Sequence, residues 1–202
     1  EGGLSTFPCA ERGRAALGLD LVSTSPSSEP DAVALAVLDH VRKTPQTSLG
    51  VIAVHGRQAG KIKAAVESLA AKNQELRNFL DTESMEPFFV KTIAEVRGDE
   101  RDDIFISFSG EDGEHFLEPF ECEGGLNDLN VLMTRARSRC VLYSSLSPED
   151  IARISSSEGA RILRDYLRYA RDGQAGTTDS LSNSTADSFH SIIKSRLAAL
   201  GY

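Results

Sequence analysis

The run Leu49-Gly-Val-Ile-Ala-Val54 is apolar at every position. A strand with one wet face alternates apolar and polar residues, whereas a strand covered on both faces reads as an unbroken apolar run. This stretch therefore belongs in the middle of a layered structure, with helices on either side. The flanking sequence supplies them. Pro30 to about Lys43 carries Val33, Val37, Leu38 and Val41 at helical spacing, with Pro30 in a favourable first position and Pro45 as the stop. His55-Gly-Arg-Gln58 turns the chain into a second helix from about Ala59 to Ala71, and a further segment covers Asn73 to Leu80.

Further strands are expected at Leu19 to Ser23, Phe88 to Thr92, Ile104 to Ser107 and Cys140 to Ser144. A helix over Leu126 to Arg137 precedes the last of them. Ser147-Pro-Glu-Asp150 has the cap, the proline and the acids of a helix start, and Gly159 to Ala170 forms another helix. Strands alternating with helices predict an α/β domain with a mainly parallel sheet flanked by helices. Residues 1–18 read as an irregular lead-in, 19–170 as the domain, 171–186 as a linker rich in Gly, Ser, Thr and Asn, and 187–202 as an amphipathic helical extension. Beginning at Glu1 rather than Met, the chain reads as a piece of a longer one.

Net charge is −8. A stand-alone nucleic-acid binder is usually basic, so any such contact here must be local or completed by other parts. The acidic stretch Glu111 to Glu123 reads as a solvated loop. Three scattered cysteines without metal-type spacing fit a reducing cytoplasm and no disulfide framework. No apolar run approaches membrane-spanning length, and no membrane partner is expected. No G-x-x-x-x-G-K-[ST] phosphate loop occurs, and no metal-ligating set is read.

Three separated blocks carry chemistry. The first is Leu49 to Gln58, with Gly56, Arg57 and Gln58 at a strand-to-helix turn. The second is Thr92-Ile-Ala-Glu-Val-Arg-Gly-Asp-Glu-Arg-Asp102. The third is Leu129-Asn-Val-Leu-Met-Thr-Arg-Ala-Arg137, a basic helix end feeding a strand. In this order they resemble the fourth, fifth and sixth motifs of superfamily-one helicases, in the clade that includes the nonsense-mediated-decay RNA helicase and its bacterial relatives. The resemblance spans roughly Leu19 to Tyr169. The sixth block is the most specific, close to L-N-V-A-x-T-R-A-R; the fifth is commonly T-x-x-x-x-Q-G-x-E-x-D.

The resemblance implies the second RecA-like domain of an ATP-dependent DNA or RNA helicase. Such a domain closes on ATP and Mg2+ held mainly by a first RecA-like domain of the same protein, so this piece alone is expected to be inactive. By the motif match Arg135 is the arginine that meets the γ-phosphate, a role suited to a permanently charged planar fork. Gln58, Arg57, Gly98 and Glu100 match positions that meet the nucleotide. Thr92 matches the residue that holds a nucleic-acid phosphate, and His55 stands where relatives place an aromatic. The three blocks are expected to meet on one edge of the sheet. Single-stranded DNA is the expected partner, with RNA as the alternative. The segment from Ser188 to Tyr202 resembles the opening helix of a nuclease-like domain.

Plainer readings stand beside these. Arg137 and Arg139 read as solvated or salt-bridged. Asp99, Arg101 and Asp102 read as a charged turn, and His55 equally as an ordinary turn histidine. Two positions depart from the family pattern: Arg97 replaces the usual Gln before Gly98, and Asn127-Asp128 stands where relatives often have basic residues. Such departures leave room for a different reading, a non-catalytic nucleic-acid-binding or regulatory module that retains the fold.

Overall fold

A computed structural model of the chain describes residues 18–82, 84–109 and 115–172. The expected linker beyond Asp172 and the helix over 187–202 lie outside them, as does most of the lead-in.

The unbroken apolar run becomes β2 (Leu49–Ala53), buried at all five positions. It lies inside a five-stranded sheet of order β1-β5-β4-β2-β3, completed by β1 (Gly18–Ser23), β3 (Phe89–Thr92), β4 (Arg101–Phe108) and β5 (Ala136–Ser144). Every pairing is parallel. Each strand must then be re-entered by a crossover; helices make three of the four, and residues 93–100, without a helix, make the one from β3 to β4. Those on one face are α1 (Glu29–Lys43), α2 (Gly56–Ala70) and α3 (Gln74–Asp81); on the other are α5 (Gly125–Thr134), α6 (Pro148–Ile154) and α7 (Glu158–Asp172), with the short α4 (Glu118–Glu121).

Strand alternation divides the core between the faces. Leu49, Val51 and Ala53 of β2, Phe105 of β4, and Val141 and Tyr143 of β5 pack with Val33, Val37, Ile62 and Val66. Ile52, Ile104, Ile106, Phe108, Cys140 and Leu142 pack with Leu129, Leu132, Leu163 and Leu167 on the far side. The expected α/β architecture, a parallel sheet between helical layers, is the one observed. Ser147 opens α6 with a reciprocal cap, its hydroxyl accepting from the Asp150 amide and the Asp150 carboxylate accepting from the Ser147 amide.

Three expectations are corrected. The helix before β5 ends at Thr134, not at Arg137; Arg137 and Arg139 lie in β5, which begins at Ala136. Its first residues carry no apolar signal, because the ladder with β4 holds them there, Ala136 pairing with Arg101. Asp102 is likewise a strand residue rather than part of a turn. Within the acidic stretch, Phe116, Leu117 and Phe120 are buried, so its described part is anchored in the core rather than solvated throughout. Phe108, Phe116 and Phe120 meet edge to face in sequence, with centroids 6.1 and 6.3 Å apart.

Glycines fix the junction of α4, α5 and α7. A Cβ on Gly125 would stand 2.5 Å from the Phe120 carbonyl oxygen, and one on Gly159 would stand 2.1 Å from it. Both helices therefore approach the Phe120 backbone at distances only hydrogen allows.

Candidate functional site

The polar residues at the end of β2 sit where the sheet runs out. Ala53 pairs with both Ser107 and Thr92, so the C-terminal ends of β2, β3 and β4 lie side by side. His55 caps α2 in extended conformation, and Gly56, Arg57 and Gln58 form its first turn rather than a turn before it. The His55 ring stands edge to face on Phe116 at 6.2 Å, and its Nε2 is buried without a hydrogen-bond partner. Arg57 is exposed. Thr92, the last residue of β3, donates from its amide and its hydroxyl to the same oxygen of Glu95, at 2.8 and 3.0 Å. Those two bonds hold the Glu95 carboxyl below its usual range.

Gln58 is turned inward. Its Nε2 donates to Ser107 Oγ at 3.0 Å and to Glu29 Oε1 at 3.3 Å. Glu29 is fully buried at the start of α1, and also accepts from the hydroxyls of Ser107 and Thr24. Burial pushes its carboxyl above the usual range, against the pull of these bonds. This buried acid was not legible in the sequence, where Glu29 closes a Ser- and Pro-rich stretch from Thr24 that reads as a loop.

From Thr92 the chain returns along the sheet through residues 93–100. Ile93 and Val96 anchor this segment in the core on the α5 side. Gly98 turns at φ +91°, a conformation that strains any other residue, and the space around it is open. Lys91 holds Asp99 at 2.6 Å, and Arg97 holds Asp128 of α5 at 2.8 Å. The segment ends at Glu100, beside Arg135.

Arg135 follows the last turn of α5, its carbonyl accepting from the Arg101 amide at 3.2 Å. Its side chain is mostly buried. One terminal nitrogen donates to Thr134 Oγ1 at 2.9 Å and stands 4.0 Å from the Glu100 carboxylate, while Nε is buried with no partner among the described residues. The neighbouring arginines are more fully engaged. Arg137 bonds Glu86, Asp102 and Ser48; Arg139 pairs with Asp20; Arg101 donates to the carbonyls of Pro87 and Glu100. The bond from Arg137 pulls the Glu86 carboxyl down to about 2. Burial opposes ionisation of Asp102, yet the bonds from Ser48 and Arg137 hold it below its usual range.

The residues singled out from sequence thus fall into two groups. Arg135, Gly98 and Glu100 lie toward the edge where β4 and β5 begin. His55, Arg57, Gln58 and Thr92 lie at the edge where β2 and β3 end. From Arg101 to Ser107 the sheet advances about 20 Å at roughly 3.3 Å per residue. The expectation of a single shared edge is corrected, and the reason is topological. In a parallel sheet a strand-to-helix turn and a helix-to-strand turn occupy opposite edges. The first block is of one kind, the third of the other, and residues 92–100 span the distance between them.

Among the described residues no group of three or more His, Cys, Asp or Glu could hold a metal ion, and no helix is long and apolar enough to cross a membrane. The chemistry this surface can offer is a part-buried guanidinium with donor capacity to spare, opposite a carboxylate.

Comparison with known proteins gives the family. A model of the AAA domain matches residues 14–147. An uncharacterised ATP-dependent helicase of Mycoplasma genitalium is 37% identical over 127 residues, and its homologue in Mycoplasma pneumoniae is 34% identical over 129. These alignments cover 60% and 61% of this chain and 11% of each relative, so the chain spans about a tenth of their length. The crystal structure of the C-terminal domain of a possible DNA helicase from Lactobacillus plantarum WCFS1 superposes with a TM-score of 0.45 at 16% identity, over 69% of this chain and 81% of that one. That likeness is too loose to bear on function. With more than half of its residues matched, the chain belongs to the AAA domain family, and its curated relatives are named as ATP-dependent helicases.

Proposed function

We propose that this chain is the C-terminal motor domain of an ATP-dependent helicase, supplying the arginine finger and part of the nucleic-acid groove. The observation that carries this reading is the state of Arg135. It is fixed by the end of α5, part-buried, and holds a donor that no group among the described residues satisfies. A buried unsatisfied N–H costs about 1–3 kcal/mol, which a phosphoryl oxygen brought by a facing domain would relieve. Such a group stabilises charge that develops on the transferred phosphoryl, and this is most of what phosphoryl-transfer catalysis requires.

In this reading Glu100 orients the Arg135 fork and meets the nucleotide alongside it, and Gly98 makes the turn that brings Glu100 there. ATP and Mg2+ are held mainly by the first RecA-like domain. Thr92, His55 and Arg57 face a single strand at the opposite edge, through its backbone and rings rather than its sequence. Gln58 acts on this surface indirectly, by fixing the start of α2. DNA is the favoured strand.

The experiment is ATP hydrolysis by the intact protein, with and without single-stranded DNA, beside the same assay on this chain alone. Strand-stimulated turnover by the intact protein and none by the isolated chain are expected. Strand binding without any turnover would favour the reading as a non-catalytic module.

A further inference from the structure

Arg97 and Asp128 are bonded to each other: an Arg97 terminal nitrogen donates to Asp128 Oδ1 at 2.8 Å. One belongs to the segment that ends at Glu100. The other lies in the first turn of α5, the helix that ends at Arg135. We propose that this ion pair is a positioning device, clamping the 93–100 segment to α5 so that Glu100 and Arg135 keep their mutual geometry. The inference rests on the reading of Arg135 and Glu100 as nucleotide-facing residues.

The geometry favours a clamp over an incidental surface contact. Arg97 directly precedes Gly98, whose φ of +91° makes it the bend of the segment. The segment is held at its near end by the Thr92–Glu95 bonds, below by Ile93 and Val96 in the core, and to β3 by the Lys91–Asp99 pair. None of these ties reaches α5 through a polar contact. Arg97 does so, one residue from the bend. Asp128 is the less exposed partner, with 21% of its side chain accessible against 64% for Arg97. Its place in the first helical turn favours a carboxylate independently of the arginine, so the acid is pre-set and the cation is recruited to it. An exposed pair of this kind contributes little to global stability and is screened by salt. Its effect should therefore appear in local order and in turnover rather than in unfolding.

The test uses Arg97→Gln and Asp128→Asn, singly and together, with the charge-swapped pair Arg97→Asp/Asp128→Arg. Amide hydrogen exchange on this chain should show Asp99 and Arg101, whose amides donate to the carbonyls of Val96 and Arg135, exchanging several-fold faster in each single variant. The double neutral variant should be no worse than either single, and the swapped pair should recover at least part of the protection. High salt should reproduce the loss in the wild type. In the intact protein, each single variant should lower kcat for ATP several-fold while KM for ATP stays within about twofold, again with recovery in the swapped pair. Unchanged exchange at Asp99 and Arg101 in both single variants would overturn the clamp, whatever the intact protein hydrolyses. Altered exchange with kcat unchanged, in an intact protein that does turn over ATP, would overturn its positioning role. Altered exchange in a protein whose wild type never turns over ATP would instead overturn the functional reading beneath it.

Discussion

Glu100 and Arg135 face each other at 4.0 Å where β4 and β5 begin, joined through the backbone by the bond from the Arg101 amide to the Arg135 carbonyl. Two sequence blocks far apart in the chain are thus brought side by side by the pairing of Arg101 with Ala136. That pairing sets the spacing of the two backbones where the strands begin. Exchange of Glu100 for Gln should leave the fold intact, with a thermal midpoint within about 1–2 °C of the wild type, since an exposed pair at this distance contributes little. A large fall in the midpoint would mean that the carboxylate is structural.

Glu29 gives a pH-dependent prediction. Burial raises its folded-state pKa, so its contribution to stability is present below the ordinary carboxylate value and is lost as pH rises through the raised one. Glu29→Gln keeps an acceptor for Ser107 and Gln58 and removes the charge. Urea midpoints should therefore show the variant gaining on the wild type as pH rises above the ordinary carboxylate value. A difference that does not vary with pH would contradict the assignment of the desolvation cost to this carboxyl. Glu29→Ala, which removes the acceptor shared by Thr24, Gln58 and Ser107, should lose about 2–4 kcal/mol.

The Arg137 network should act at the acid end. Glu86 and Asp102 are both held below their ordinary values, so their contribution is present above those values and is lost as pH falls toward about 2. Arg137→Met should flatten the acid limb of the stability curve. Because both carboxylates are about a third exposed, the effect at neutral pH is screened to about 1 kcal/mol. An acid limb of unchanged slope would remove Arg137 from its structural role.

Packing around the glycines separates two outcomes for the same substitution. Gly159→Ala places a methyl 2.1 Å from the Phe120 carbonyl and should cost at least about 1–3 kcal/mol. Gly60→Ala, within α2 and with nothing within 4 Å of the added carbon, should stabilise by about 0.5–1 kcal/mol. Chemical denaturation of the two variants checks both, and a neutral Gly159→Ala would show that the junction with α4 is looser than described.

The layers of the fold were legible because burial on both faces leaves an unbroken apolar signature, as in Leu49 to Val54, while helix faces leave a period, as in Ile162, Leu163, Tyr166 and Leu167. What was not legible came from pairing and from burial of polar groups. The first half of β5, Ala-Arg-Ser-Arg, has no strand signal of its own; its place depends on a ladder with a distant strand and on acids at positions 20, 86 and 102. Gln58 reads as a turn residue free to meet a ligand, and only the fold reveals Glu29 and Ser107 beside it. Candidate residues could be singled out from sequence, but their division between two edges of the sheet follows from chain direction at each turn.

The most direct test of the central claim is ATP turnover by the intact protein carrying Arg135→Ala, measured beside nucleotide affinity. Loss of an arginine that acts on the transition state should lower kcat by about 10³-fold or more, with the affinity for ATP largely retained. Turnover close to that of the wild type would contradict the account.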